Sequence, residues 1–233
     1  MRARDLWRVA LDLLLPPRCV SCQQAGTWLC QRCIDRSPRV RQPFCTRCGG
    51  PPDGPGYSAC NRCRTAPPTV RRTRSVFYFE GPLRTAIHKL KYDGVTALAH
   101  PLGSLMAGYW LTHPVSGAII VPVPLHRRRH RERGFNQAAL LARELSQQVS
   151  VPLDETTLVR HRATAAQVGL DAEERRGNVR DAFQCTSDGL AGAHVVLIDD
   201  VRTSGATLEA CGTALRRGGA IRVDTFTLAR ARW

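Results

Sequence analysis

Asp199 and Asp200 stand where the apolar run Val195, Val196, Leu197 and Ile198 ends, and Thr203-Ser204-Gly205-Ala206-Thr207 follows close behind. Such a run reads as a strand buried on both faces. Carboxylates at its mouth are unfavourable unless something binds them. The Thr-Ser-Gly-Ala-Thr turn opens a helix from about residue 203 and aims several backbone N–H groups at one point, an arrangement that binds phosphate. The hydroxyls of Thr203, Ser204 and Thr207 add donors. Acids beside a phosphate repel it unless they face donors of their own, and the 2′- and 3′-hydroxyls of a ribose suit ionised carboxylates. The stretch therefore reads as a site for a pentose carrying a 5-phosphate. A Walker loop would need Gly-Lys-Ser/Thr, which is absent. A response-regulator acid pocket would need a lysine downstream, and none follows Asp200. Capping alone would explain Thr203 but not two acids.

A second chemistry lies at the other end. Eight of the ten cysteines form four CxxC pairs, Cys19/Cys22, Cys30/Cys33, Cys45/Cys48 and Cys60/Cys63, separated by 7, 11 and 11 residues. Four thiolates make one tetrahedral zinc site, so eight make two structural Zn2+ sites. A redox motif would need one CxxC beside a βαβ unit, and a cytosol would keep disulfides reduced. Sequential pairing is the simplest grouping, and an interleaved one stays open. Few large apolar residues lie here, so metal binding of roughly 10–16 kcal/mol per site would have to supply the folding energy. Each filled site carries two net negative charges, which lowers the formal charge from +15 to about +11. Cys185 and Cys211 stand apart and read as ordinary buried thiols.

The elements that position these groups follow from pattern. Residues 1–18 read as an amphipathic helix, with Leu6, Val9, Ala10, Leu13 and Leu14 at helical spacing. Arg8 and Asp12 break the apolar run that a signal peptide would need. Residues 19–65 form the metal module, and 66–74, basic and proline-bearing, a linker. From 75 to 233 strand and helix alternate. SVFYF is a strand, and PLRTAIHKLKY a helix with Pro82 in its first turn. Residues 97–111 are a second helix, and GAIIVPVP is a buried strand ended by its prolines. LHRRRHRERG reads as a loop, NQAALLARELSQQV as a helix, and 151–159 as a short strand. Strands at 194–198 and 221–229 flank the last helix. This is the α/β class, a parallel twisted sheet flanked by helices, preceded by a small zinc module. Ligands in such sheets bind at the carboxyl ends of the strands, where Asp199, Asp200 and the arginine-rich loop after Pro124 fall. No run of about 18 apolar residues exists, so no spanning helix is expected. The chain reads as cytoplasmic, and Arg2, Arg4 and Arg8 would suit contact with the anionic inner face of a membrane.

Of 34 basic residues only Lys89 and Lys91 are lysines. Their survival side by side suggests a specific role for at least one.

VVLIDDVRTSGAT resembles the phosphoribosyl pyrophosphate (PRPP) motif of type I phosphoribosyltransferases. LKYDG at 90–94, VPVPLHRRRHRERGFNQ at 121–137 and RATAAQVGLDAEERRGNVRDAF at 162–183 extend the likeness. With four CxxC pairs in front, nearly the whole chain resembles the ComF family, PRPP-motif proteins with an N-terminal double zinc ribbon that are linked to DNA uptake in natural transformation. The resemblance implies that Asp199 and Asp200 hold ribose and that Thr203, Ser204, Gly205, Ala206 and Thr207 hold the 5-phosphate. It makes Lys91, Arg129, Arg133, Arg162 and Gln167 candidates for the pyrophosphate loop and a lid over 160–176, with Mg2+ entering with PRPP. Ser204 stands where many relatives carry Thr, and Arg202 falls at a variable position and receives no role.

Two functions follow. A transferase would expel pyrophosphate through an oxocarbenium-like state stabilised by arginines and Mg2+. No stretch reads as a base-specific pocket, which leaves the acceptor open. A non-catalytic module would instead use the fold to bind single-stranded DNA or partner proteins of the uptake machinery. Arginine clusters at 36–41, 71–74 and 127–133 suit a phosphate backbone, with Trp28, Phe77, Tyr78 and Phe79 as candidate stacking surfaces. That second function predicts DNA affinity falling with salt at a log–log slope of about −0.7 per phosphate contacted. Binding that is undetectable, or indifferent to salt in a titration series, would contradict it.

Overall fold

The computed structural model describes residues 16–54, 58–113, 115, 117–162 and 181–232. The expected N-terminal helix, the lid with Gln167, and most of the motif at 162–183 lie outside them.

Four parallel strands form the central sheet in the order β1-β6-β5-β2: β1 Thr73–Tyr78, β2 Ile119–Pro122, β5 His194–Arg202 and β6 Arg222–Arg230. β5 explains its own sequence. Val196 and Ile198 enter one apolar cluster, Val195 and Leu197 another, so both faces are buried and the run has no polar alternation. The first cluster is completed by α3 (Gly81–Tyr92), α4 (Ala99–Thr112) and α6 (Gln137–Val149), through residues such as Ile87, Leu102 and Leu141. The second is closed by α7 (Ala206–Arg217) through Leu208, Cys211 and Leu215. β3 (Leu158–Arg160) and β4 (Phe183–Cys185) pair antiparallel apart from the main sheet.

Three local expectations change. β5 does not stop at residue 198: its pairing with β6 continues to Arg202 opposite Arg230, so both acids lie within the strand. Parallel pairing there overrides the low strand preference of Asp. The last helix starts at Ala206 rather than 203, because 203–205 are spent on the turn. Gly205 takes φ +84°, and Ser204 Oγ accepts from the Ala206 N–H at 3.4 Å. The stretch expected as a loop contains a short helix, α5 (Arg127–Arg133). Its ends are marked by chemistry: His126 Nδ1 accepts from the Arg128 N–H, and Gly134 closes it at φ +80°.

The cysteine module is sewn onto this body. It carries two one-turn helices, α1 (Gln31–Asp35) and α2 (Asn61–Thr65), each opening on a CxxC pair. Between them, Val40 N–H donates to Val76 O at 3.0 Å and Tyr78 N–H to Pro38 O at 2.8 Å. Residues 38–40 thereby cover the edge of β1, which would otherwise expose unpaired backbone. The segment before β1 is also packed: Thr69 N–H donates to Glu209 of α7 at 2.7 Å, and Val70 is buried beside Gly212.

Candidate ligand cleft and metal centres

A cleft of about 1120 Å3 opens at the carboxyl ends of β2 and β5. Asp199, Asp200 and all of 203–207 line it, as do Lys91, Arg129 and Arg133. Of the other sequence-predicted residues, Arg162 is exposed and does not line it, and Gln167 lies outside the described residues.

Its floor is the acid pair. The Asp200 side chain is 2% exposed, and Lys91 Nζ pairs with its Oδ2. Gln137 Nε2 donates to Asp200 Oδ1 at 3.3 Å, and the Asp200 N–H donates to Asp199 Oδ1 at 2.9 Å. Three elements meet here. Leu83, Ala86, Ile87 and Leu90 bury one stripe of α3 and so bring Lys91 over the end of β5. Gln137 is the first residue of α6, whose cap is Asn136 accepting from Ala138 N–H at 3.0 Å. The two lysines part company: Lys89 pairs on the surface with Asp93, one turn along.

The two acids titrate in opposite directions. Burial raises both, and for Asp199 the neighbouring Asp200 charge adds to it, so its pKa lies well above the usual carboxylate range. At Asp200 burial is outweighed only by the Lys91 ammonium together with the bonds from Lys91, Asp199 and Gln137, which hold it below that range. Burial lowers Lys91, but the charges of Asp200 and Asp199 raise it above its ordinary value. The site thus pairs a carboxylate held by an ammonium with a second acid whose ionisation is opposed by burial and by that carboxylate.

The walls are basic on one side and aromatic on another. Arg129 and Arg133 come from α5 and Arg160 from β3; Arg133 also bonds Gln137 Oε1. Phe79, His88 and Tyr92 form a strip with ring centroids 5.6 and 5.5 Å apart, and guanidiniums of Arg84 and Arg133 sit over Phe79 and Tyr92. Sequence reading named Phe79 as a stacking candidate but missed Gln137, Arg160, His88 and Tyr92; the spacing of His88 and Tyr92, one helical turn apart, was the only signal for that pair. Of the stacking candidates, Phe77 is fully buried core, while Trp28 is 37% exposed.

The cysteines group sequentially. The sulfurs of Cys19, Cys22, Cys30 and Cys33 lie within 4.8 Å of one another, as do those of Cys45, Cys48, Cys60 and Cys63. Backbone N–H groups point at them: Cys30 N at Cys19 Sγ (3.5 Å), Cys60 N at Cys45 Sγ (3.3 Å) and Gly50 N at Cys48 Sγ (3.4 Å). Four converging sulfurs with N–H donors at the knuckles fit a tetrahedral Zn2+ in each set.

Two expectations follow. Elemental analysis of the full chain should give two Zn2+ per molecule, falling to one in Cys33→Ser; a single zinc in the unaltered chain would contradict the grouping. In thermal melts at pH 7–8, Asp199→Asn and Asp200→Asn should move in opposite directions. A raised folded pKa gives stability at low pH that is lost as pH rises through it, so replacing Asp199 removes a penalty and should raise Tm. A lowered folded pKa gives stability above the unfolded pKa, and replacing Asp200 also strands Lys91, a loss on the order of 3–5 kcal/mol. Equal shifts of the same sign would contradict the charge assignment.

Residues 10–64 match the double zinc ribbon domain and residues 135–232 the phosphoribosyl transferase domain. The chain is 35% identical to "DNA utilization protein YhgH" of Salmonella typhi over 227 residues, covering 94% of this chain and 99% of that one. It is 30% identical to "Competence protein F" of Haemophilus influenzae, covering 92% and 97%. Among solved structures, a purine phosphoribosyltransferase from Pyrococcus horikoshii aligns over 58% of this chain and 85% of its own, at 15% identity and a TM-score of 0.36. With relatives matching over nearly their whole length and a double zinc ribbon ahead of a phosphoribosyl transferase domain, the chain belongs to the ComF family.

Proposed function

We propose that the cleft binds PRPP as its Mg2+ complex and that the chain acts through this site in the uptake or use of DNA. One observation carries the reading: a buried acid pair, held by Lys91 and Gln137, lies directly before the 203–207 turn in the wall of a single cleft. Asp199 and Asp200 accept hydrogen bonds from the ribose 2′- and 3′-hydroxyls. The first-turn N–H groups of α7 have no acceptor within the helix, and with the turn hydroxyls they receive the 5-phosphate. Arg129, Arg133 and Arg160 face the pyrophosphate, and Mg2+ supplies further charge neutralisation there. Gln137 keeps Asp200 oriented at the floor of the cleft. The names of the relatives, which speak of DNA utilization and competence, support a role in handling incoming DNA.

A second reading has its own observation. Phe79, His88 and Tyr92, interleaved with Arg84 and Arg133, form the mixed aromatic and cationic surface on which unpaired bases stack. In that reading the same cleft grips a single strand and no transfer occurs. Among the described residues no helix is long and apolar enough to cross a membrane.

Calorimetric titration of the zinc-loaded chain with PRPP and Mg2+ separates the two. Saturable binding is expected, weakened by roughly 100-fold or more in the Asp199→Asn/Asp200→Asn variant, since two charge-assisted contacts are lost. A folded wild type that takes up no PRPP would overturn the PRPP reading and put strand binding in its place.

A further inference from the structure

β5 and β6 both end in arginine, and their register sets Arg202 beside Arg230. Both side chains are buried, at 8% and 2% exposure. Two guanidiniums side by side and away from water repel each other while each loses hydration, so the arrangement calls for a matching anion. With Zn2+ bound, the second four-cysteine centre would be such an anion. Arg230 lies against its knuckle, where a Cβ on Gly49 would be 3.7 Å from the Arg230 Nη1 atom. Burial disfavours both arginine charges. With Zn2+ in place the centre carries two net negative charges, one for each guanidinium. The knuckle is itself fixed to the sheet. Thr73 N–H donates to Arg47 O at 2.6 Å, and Gly49, at φ +66°, packs so close that a Cβ would meet Thr73 O at 2.9 Å.

Arg202 has a second contact. A Cβ on Gly205, in the middle of the 203–207 turn, would lie 3.0 Å from both Nε and Nη2 of Arg202. The guanidinium therefore backs directly onto the turn, where Gly205 at φ +84° leaves room for it. Arg202 does not line the cleft, whereas its neighbours Val201 and Thr203 do, so it supports the turn from behind. The first four-cysteine centre is set elsewhere: Cys19, Cys30 and Cys33 belong to the apolar cluster that contains residues of α3.

We propose that Arg202 is a positioning residue, tied through its neighbour Arg230 to the knuckle of the second four-cysteine centre and bracing the 203–207 turn, so that metal in the second ribbon governs the phosphate affinity of the turn and metal in the first does not. The proposal rests on the reading of that turn as a phosphate site. It makes the second ribbon part of the binding site, with Arg202 as the link.

The test uses the full zinc-loaded chain as wild type, Arg202→Lys, Arg202→Gln, Cys63→Ser and Cys22→Ser. Hydrogen exchange of the 203–207 amides is followed without ligand, zinc content is measured, and ribose 5-phosphate is titrated by calorimetry. In Arg202→Gln the turn amides should exchange faster and ribose 5-phosphate affinity should fall roughly tenfold. Arg202→Lys, which keeps the charge, should lie between it and wild type. Cys63→Ser should loosen the turn in the same way and Cys22→Ser should not; if Cys63→Ser fails to fold, the Arg202 pair still decides. Unchanged exchange in Arg202→Gln, or equal loosening in Cys22→Ser, would overturn the proposal. If the exchange differences hold while wild type binds no ribose 5-phosphate, the brace stands and the phosphate reading falls.

Discussion

The ion pair between Lys91 and Asp200 is the constraint on which the cleft depends. A carboxylate 2% exposed at the end of a buried strand is tolerable only with a cation against it and its remaining lone pairs partnered. Lys91 and Gln137 meet those needs from two different helices. The pair also sets the behaviour of Asp199. With Asp200 firmly ionised next door, a second charge is costly, and Asp199 retains its proton well above the ordinary range. A ligand that brings hydroxyl donors and a divalent cation removes that cost, which makes the acid pair a receiver rather than a strain.

Everything else positions this pair. β5 is buried on both faces, so its register is fixed and its end cannot slip. Helices α3 and α6 lie on one face and α7 on the other, which brings a lysine, an amide and a helix start to one strand end. The cysteine modules replace what a helix or further strand would do at the other side of the sheet: residues 38–40 pair with β1, and the second knuckle locks to Thr73. Metal bound in them would thus help support the sheet.

What was legible in the sequence was local. The acid pair and its turn are contiguous, and the CxxC spacing names its own chemistry, so both could be found by eye. The rarity of lysine singled out Lys89 and Lys91, but only the packing of Leu83, Ile87 and Leu90 decides that Lys91 faces the cleft. Contacts between distant segments were not legible. Gln137 reaches Asp200 across 63 positions, and Arg202 meets Arg230 only through strand register. The α5 helix was hidden because consecutive arginines mask any periodicity, although His126 and Gly134 marked its ends. Phe77 was misjudged as a stacking surface because nothing local shows that 38–40 would cover its strand.

A crystal structure of the zinc-loaded chain with PRPP and Mg2+ is the most direct test of the cleft. The predicted complex has the 5-phosphate on the 203–207 turn, the ribose 2′- and 3′-hydroxyls on Asp199 and Asp200, and the pyrophosphate toward Arg129, Arg133 and Arg160. A complex with the sugar held elsewhere, and Asp200 still bonded only to Lys91 and Gln137, would contradict it.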